Sequence, residues 1–188
     1  RYYSDTAVSP ATGLSSLATM KKLVGECMDF IRNFDTEFQN FFFYGDTGVG
    51  KTFLSHCIAR ELLKTAHSVI YFSAFELFDL LGRTTFQRTE TEEETKNMHA
   101  YIFDCDLLII DDLGTELVNS FVSSQLFLVL NERILRRKST LISTNLSLGT
   151  FADTYSERIF SRISSTYTML RLIGDDIRIQ KKLSAGRG

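Results

Sequence analysis

Gly45-Asp46-Thr47-Gly48-Val49-Gly50-Lys51-Thr52 carries the spacing G-x-x-x-x-G-K-T, set between the apolar run Phe41-Phe42-Phe43-Tyr44 and a helix-like run that begins at Phe53. Glycines free the backbone to curl, so that successive amides and a helix N-terminus can point at a phosphate chain. Lys51 would bring a positive charge to the β and γ phosphates, and Thr52 a hydroxyl ligand for Mg²⁺. The pattern is that of a phosphate-binding P-loop.

Four other places carry chemistry of a matching kind. Leu107-Leu108-Ile109-Ile110-Asp111-Asp112 reads as a buried strand that delivers carboxylates to a sheet rim, the form of a Walker B segment. Asp111 would hold Mg²⁺ through water, and Asp112 would polarise an attacking water. The plain alternative is a strand ending in a polar turn, since Asp-Asp-Leu-Gly is good turn chemistry. Leu141-Ile142-Ser143-Thr144-Asn145 ends another strand in an amide, suited to holding water or touching a terminal phosphate without adding charge; an asparagine in an ordinary turn fits too. Arg158 and Arg162, four residues apart, share a helix face and could form a cationic fork for a transferring phosphoryl group, or a solvated face with a Glu157 ion pair. Arg178 follows the last strand pattern and fits either a site residue or a basic tail.

Positioning these groups requires alternating strands and helices. Leu17, Met20, Leu23, Val24, Cys27, Phe30, Ile31 and Phe34 form the stripe of an amphipathic helix. Strands are expected at 41–44, 68–72, 107–110, 140–144 and 167–172. Helices are expected at 51–65, at 74–81 closed by Gly82, near 119–137 and as one short segment near 154–164. A polar tract runs from Arg83 to about Asn97. Continuous apolar strands separated by helices imply a parallel sheet covered on both faces, with ligands at the carboxyl ends of the strands.

The 188 residues suit one α/β domain, divided here into a linker and amphipathic helix at 1–38 and the main domain at 39–188. With 44% hydrophobic and 23% charged residues and a net charge of −2, the chain is no generally basic nucleic-acid coat, so any DNA contact must be local. Cys27, Cys57 and Cys105 lie far apart, which indicates neither a zinc site nor a disulfide framework. Reduced thiols and the lack of a membrane-length apolar run or signal peptide give a cytoplasmic expectation. Arg1 in place of Met suggests a segment of a longer protein.

Taken in order, the P-loop, Asp111-Asp112-Leu113-Gly114-Thr115-Glu116, the Ser143-Thr144-Asn145 strand, the Arg158/Arg162 helix and Arg178 resemble the AAA+ ATPases. More narrowly they resemble the bacterial replicative helicase loaders (DnaC/DnaI type) and transposition helper ATPases (IstB type), over about residues 39–180. The resemblance implies a three-layer domain with a five-stranded parallel sheet in the order 5-1-4-3-2 and an absent or minimal lid. It implies ATP and Mg²⁺ as ligands, Lys51 and Thr52 as Walker A, Asp111 and Asp112 as Walker B, and Asn145 as sensor I. Arg162 is then the finger acting on a neighbouring subunit, Arg158 its helper and Arg178 sensor II. AAA+ enzymes usually have glutamate where Asp112 stands, which points to slow hydrolysis.

The expected activity is therefore ATP hydrolysis in a homo-oligomer that loads the replicative helicase onto DNA. A transposition helper, a nucleotide-gated adaptor with little hydrolysis and a small-molecule kinase are the alternatives. The paired arginines and the Asp-Asp-Leu-Gly-Thr-Glu run argue against the kinase. Single-stranded DNA is the further expected partner, through Arg83, Phe86, Arg88, Lys96 and His99, with basic and aromatic groups suited to a backbone track with stacking. Glu90 and Glu92 to Glu94 oppose this, and a solvated loop fits the same residues. Arg136, Arg137 and Lys138, or Lys181 and Lys182, are the next DNA candidates.

Overall fold

Phe41, Phe42, Phe43 and Leu107 to Ile110 are each at most 2% exposed in the computed structural model, which describes residues 2–6, 8, 13–86 and 93–185. Strands buried on both faces belong in the middle of a sheet with helices on either side. Along the chain come helix Ser16–Arg32 (α1), strand Phe41–Tyr44 (β1), helix Lys51–Lys64 (α2) and strand Val69–Ser73 (β2). Helices Ala74–Phe86 (α3) and Glu93–Asp104 (α4) lead to strand Leu107–Leu113 (β3), helix Ser120–Leu135 (α5) and strand Ser139–Thr144 (β4). Helices Leu148–Tyr155 (α6) and Glu157–Thr166 (α7), strand Thr168–Arg171 (β5) and helix Ile177–Ala185 (α8) complete the order.

The five strands are all parallel and lie in the order β2-β3-β4-β1-β5, which is the expected 5-1-4-3-2 read from the other edge. Alternation along each strand divides the core in two. Phe41, Phe43, Leu107, Ile109 and Leu141 meet Leu23, Phe30, Ile58 and Leu62 of α1 and α2. Phe42, Leu108, Ile110 and Ile142 meet Leu77, Leu81, Leu126 and Leu130 of α3 and α5. The result is a three-layer sandwich. Side chains of Ser15, Asn119 and Ser147 accept from Ala18, Val122 and Thr150 amides, so local capping fixes where α1, α5 and α6 begin.

Arg133 is fully buried. Its guanidinium donates to the Ile102, Cys105 and Ser139 carbonyls at 2.6, 3.1 and 2.5 Å and to Thr140 Oγ1 at 3.0 Å, tying the end of α4 to the start of β4. Burial lowers its pKa, but a guanidinium with this many acceptors stays charged.

Expectations about several elements are corrected. α3 does not stop at Gly82 but runs to Phe86: one interior glycine costs only about 1 kcal/mol relative to alanine, and the Thr85 hydroxyl bonds back to the Leu81 carbonyl. The described parts of the polar tract after Arg83 are helical, 83–86 as the end of α3 and 93–97 as the start of α4. The single helix expected near 154–164 is two helices, broken at Ser156, whose φ of 103° lies outside the helical region. The basic tail is the helix α8. Among the described residues no helix is long and apolar enough to cross a membrane.

Candidate functional site

β1 ends at Tyr44, and the chain then curls through Gly45 and Gly48, whose φ values are 140° and 81°. A Cβ on Gly45 would lie 2.2 Å from the Leu172 carbonyl oxygen, and one on Gly48 would lie 2.1 Å from the Asp176 carboxyl carbon. Only glycine fits either position, and Val49, 1% exposed, pins the loop to the core. Gly50 forms the N-cap of α2, so the first amides of that helix face the loop.

Lys51 opens α2 and is 4% exposed. Its Nζ donates to the Gly45 and Asp46 carbonyls at 2.6 and 2.8 Å and to Asn145 Oδ1 at 2.5 Å. Burial lowers the Lys51 pKa, while the Asp112 and Asp111 carboxylates oppose the drop. Asp46 and Thr47 complete the loop, Thr47 against the cavity.

Asp111, at the end of β3, is 5% exposed. Oδ2 accepts from Thr52 Oγ1 at 2.9 Å and also from the Tyr71 phenol, while Oδ1 accepts from Ser143 Oγ. Burial and the neighbouring Asp111 carboxylate raise the Tyr71 pKa, so the phenol stays a proton donor. The strand register shifts between Ile110 and Leu113, and Asp112 adopts a left-handed φ of 55°. That conformation turns Asp112 away from the strand path, at a cost of order 1 kcal/mol. Its amide donates to Ser143 Oγ at 3.0 Å, and Asn145 Nδ2 approaches Asp112 Oδ1 at 3.4 Å.

Lys51, Thr52, Asp111, Asp112 and Asn145 line one cavity of about 640 Å³ at the carboxyl ends of the strands. Arg178 lines the same cavity, together with the aromatic and aliphatic side chains of Tyr2, Tyr3, Met20, Val24 and Ile177. The Tyr3 phenol donates to the Val49 carbonyl at 2.8 Å, which fastens the N-terminal segment over the P-loop. A cavity that offers both charged groups and aromatic and aliphatic surface matches the chemistry of a nucleotide, which carries phosphates and a base. Among the described residues no group of three or more His, Cys, Asp or Glu could cage a metal, but Mg²⁺ in such sites uses one or two carboxylates with phosphates and water. The adjacent Thr52 hydroxyl and Asp111 carboxylate supply hard oxygens of that kind.

The arginines are distributed differently. Arg178 borders the cavity and pairs with Asp176 at 3.4 Å, while the Ile177 amide donates to the Gly48 carbonyl at 3.0 Å and docks α8 on the P-loop. Arg158 lies with its guanidinium carbon 3.8 Å from the centre of the Phe127 ring, and neither Arg158 nor Arg162 borders this cavity. Glu116 accepts from the Tyr155 phenol and from the Gly114 amide, joining the turn after Asp112 to the end of α6. In the proposed DNA tract, Arg83 pairs with Asp79, and His99 packs 5.2 Å from the Phe103 ring. Arg88, Glu90 and Glu92 and the side chains of Phe86, Glu93, Glu94 and Lys96 lie outside the described residues.

Motif spacing missed Tyr71 and the apolar wall of the cavity. The signal for Tyr71 was strand alternation, which puts residues 69, 71 and 73 on the same face as 107, 109 and 111 once the two strands pair. Tyr2 and Tyr3 carried no local signal.

The sheet order and the P-loop at its rim define a three-layer α/β domain of the P-loop fold. The chain belongs to the family described as IstB-like ATP binding protein, whose model matches residues 15–185. It is 24% identical over 143 residues to the replicative helicase loader DnaC of Buchnera aphidicola subsp. Baizongia pistaciae, covering 76% of this chain and 57% of the relative. It is 26% identical over 165 residues to an insertion-sequence ATP-binding protein of Bacillus thuringiensis subsp. berliner, covering 85% of this chain and 64% of the relative. The chain thus spans less than two thirds of either relative. A crystal structure of the DnaC helicase loader superposes with a TM-score of 0.70 at 21% identity, covering 82% of this chain and 90% of that one, a likeness of fold.

Proposed function

We propose that this chain binds ATP·Mg²⁺, self-associates so that sites form between subunits, and hydrolyses ATP while loading a replicative helicase onto DNA. The observation that carries the nucleotide part is the convergence of Lys51, Thr52, Asp111, Asp112 and Asn145 on one cavity. Residues 39–188 form the ATPase domain in this reading, and 1–38 form the linker and helix that wall the base side.

Each residue then has a task. Lys51 exchanges its carbonyl partners for β and γ phosphate oxygens, and the P-loop amides hold the phosphate chain. Thr52 and, through water, Asp111 hold Mg²⁺, which neutralises phosphate charge when bound. Asp112 accepts a proton from the attacking water, with Asn145 orienting that water beside it. Arg178 turns from Asp176 toward the terminal phosphate. Arg162 reaches the site of a neighbouring subunit, with Arg158 beside it, which is consistent with both lying off their own cavity. Asp112 is one methylene shorter than glutamate and holds the water at longer reach, so hydrolysis is slow, and an adaptor with little turnover is the limiting form of this reading.

The helicase partner is supported by the likeness to a protein named as a helicase loader. The family description and the insertion-sequence relative favour a second reading, a helper that uses the same ATPase to select DNA targets for a transposase. Pull-down of the protein carrying this chain, with and without ATP, separates them: retention of the helicase supports loading, and retention of the transposase supports the second reading. Failure to bind ATP defeats both.

A further inference from the structure

We propose that Tyr71 is a positioning residue for the metal-binding carboxylate: its phenol, bonded to Asp111, fixes the rotamer in which Asp111 faces Thr52 and the P-loop. The inference rests on the reading of the cavity as an ATP·Mg²⁺ site.

The parallel register sets Tyr71 opposite Ile109 and Ser73 opposite Asp111, so the Tyr71 ring and the Asp111 carboxylate leave neighbouring strands on the same face. The ring is held in place by His56 of α2, with centroids 4.7 Å apart and planes at 25°. Its hydroxyl donates to Asp111 Oδ2, the same oxygen that takes the Thr52 hydroxyl at 2.9 Å. Ser143, from β4 on the other side, donates to Oδ1. Three hydroxyls from α2, β2 and β4 therefore clamp one carboxylate.

Such a clamp matters for Mg²⁺ in particular. The ion demands near-octahedral geometry and dehydrates reluctantly, so a carboxylate acting through its water shell tolerates little rotation. Partners one step outside a metal site typically alter metal affinity 10- to 100-fold when removed. Thr52 has a second task at the metal, and Ser143 also accepts the Asp112 amide at 3.0 Å. In the described contacts, the Tyr71 hydroxyl serves Asp111 alone, so its removal tests orientation without touching the P-loop.

Tyr71→Phe keeps the ring and its contact with His56 and deletes only the hydroxyl. The experiment titrates Mg²⁺ at fixed concentration of a fluorescent ATP analogue, repeats the nucleotide titration in EDTA, and follows Mn²⁺ binding to the nucleotide complex by electron paramagnetic resonance. The expected result is a rise of about 10-fold in half-saturating Mg²⁺ and a matching loss of bound Mn²⁺. Affinity in EDTA should stay unchanged, and the nucleotide-free melting temperature should fall only by the few degrees that loss of one hydrogen bond to a charged group brings. An unchanged Mg²⁺ requirement overturns the inference, as does an equal loss of affinity with and without metal, the mark of a merely structural role. If the wild-type chain itself shows no Mg²⁺-dependent binding, the nucleotide reading fails first and this inference with it; the wild-type arm tells the two failures apart.

Discussion

Lys51 Nζ and Asn145 Oδ1, 94 positions apart in sequence, lie 2.5 Å from each other. The contact joins the loop after β1 to the end of the adjacent β4, and it leaves the ammonium saturated by three neutral oxygens. In the proposed reading a triphosphate replaces those neutral oxygens with anionic ones, which attract the ammonium more strongly. Asn145 is thereby freed to turn toward Asp112, already 3.4 Å from its amide.

Lys51 and Asp112 should separate binding from turnover. Lys51→Ala is expected to weaken ATP binding by about 10- to 100-fold in calorimetry, since a hydrogen bond to a charged group contributes about 1.5–3 kcal/mol. Asp112→Asn should leave that affinity nearly unchanged and lower steady-state hydrolysis by about 10²-fold or more, because a water-polarising group acts mainly in the transition state. Normal hydrolysis by Asp112→Asn would remove the residue from its assigned role.

Arg162 should act across a subunit boundary. Lys51→Ala and Arg162→Ala chains, each nearly inactive alone, are expected to recover part of the wild-type rate when mixed, because some interfaces then pair an intact P-loop with an intact finger. A finger of this kind is worth about 10³-fold or more in rate. Absence of recovery in assemblies shown by mass photometry to be mixed would place Arg162 outside the reaction.

DNA binding should show the salt dependence of phosphate contacts. Replacing Arg83 and Arg88 together is expected to lower single-strand affinity and to flatten the salt slope by about 0.7 per lost contact. Phe86→Ala should lower affinity with little change of slope, as stacking on bases releases few ions. Arg83 already pairs with Asp79, so DNA must displace that carboxylate. Unchanged binding in both variants, in assembled protein, would move the contact to Arg136, Arg137 and Lys138 or to Lys181 and Lys182.

A pH-dependent contribution to stability should come from the far end of the sheet. Burial alone would raise the Asp106 pKa, but hydrogen bonds from Lys138 and Ser68 overcome it and hold the carboxyl at about 2 against an ordinary 3.8. The folded value is the lower one, so the stabilisation is fully present above the ordinary value and is lost as pH falls toward 2. Asp106→Asn should lower unfolding free energy at neutral pH by up to about 1 kcal/mol, given partial solvent screening. The gap to wild type, read from denaturant midpoints, should narrow below pH 3.8. A gap that is constant with pH would show that the Asp106 charge contributes nothing.

What the sequence determined by itself was whatever is encoded within a few consecutive residues. The P-loop is contiguous, so its glycines, Lys51 and Thr52 were legible at once, and unbroken apolar runs such as Leu107 to Ile110 marked strands buried on both faces. Those runs, spaced by helical stripes, sufficed for a parallel sheet, whereas the strand order came from family resemblance. Tertiary structure decided everything that depends on which element lies beside which. Gly82 reads as a helix stop, yet α3 runs on to Phe86; Ser156 falls inside the one helix expected near 154–164, yet the chain breaks there. Arg133, a charged residue within α5, is buried because acceptors from the α4 and β4 regions surround it. Tyr71 meets Asp111 across 40 positions of sequence only because β2 pairs with β3, and Tyr2 and Tyr3 wall the cavity only because the chain folds back over the P-loop. Local spacing records what neighbours in sequence can do, while partners brought together by strand pairing leave no mark until the sheet has formed.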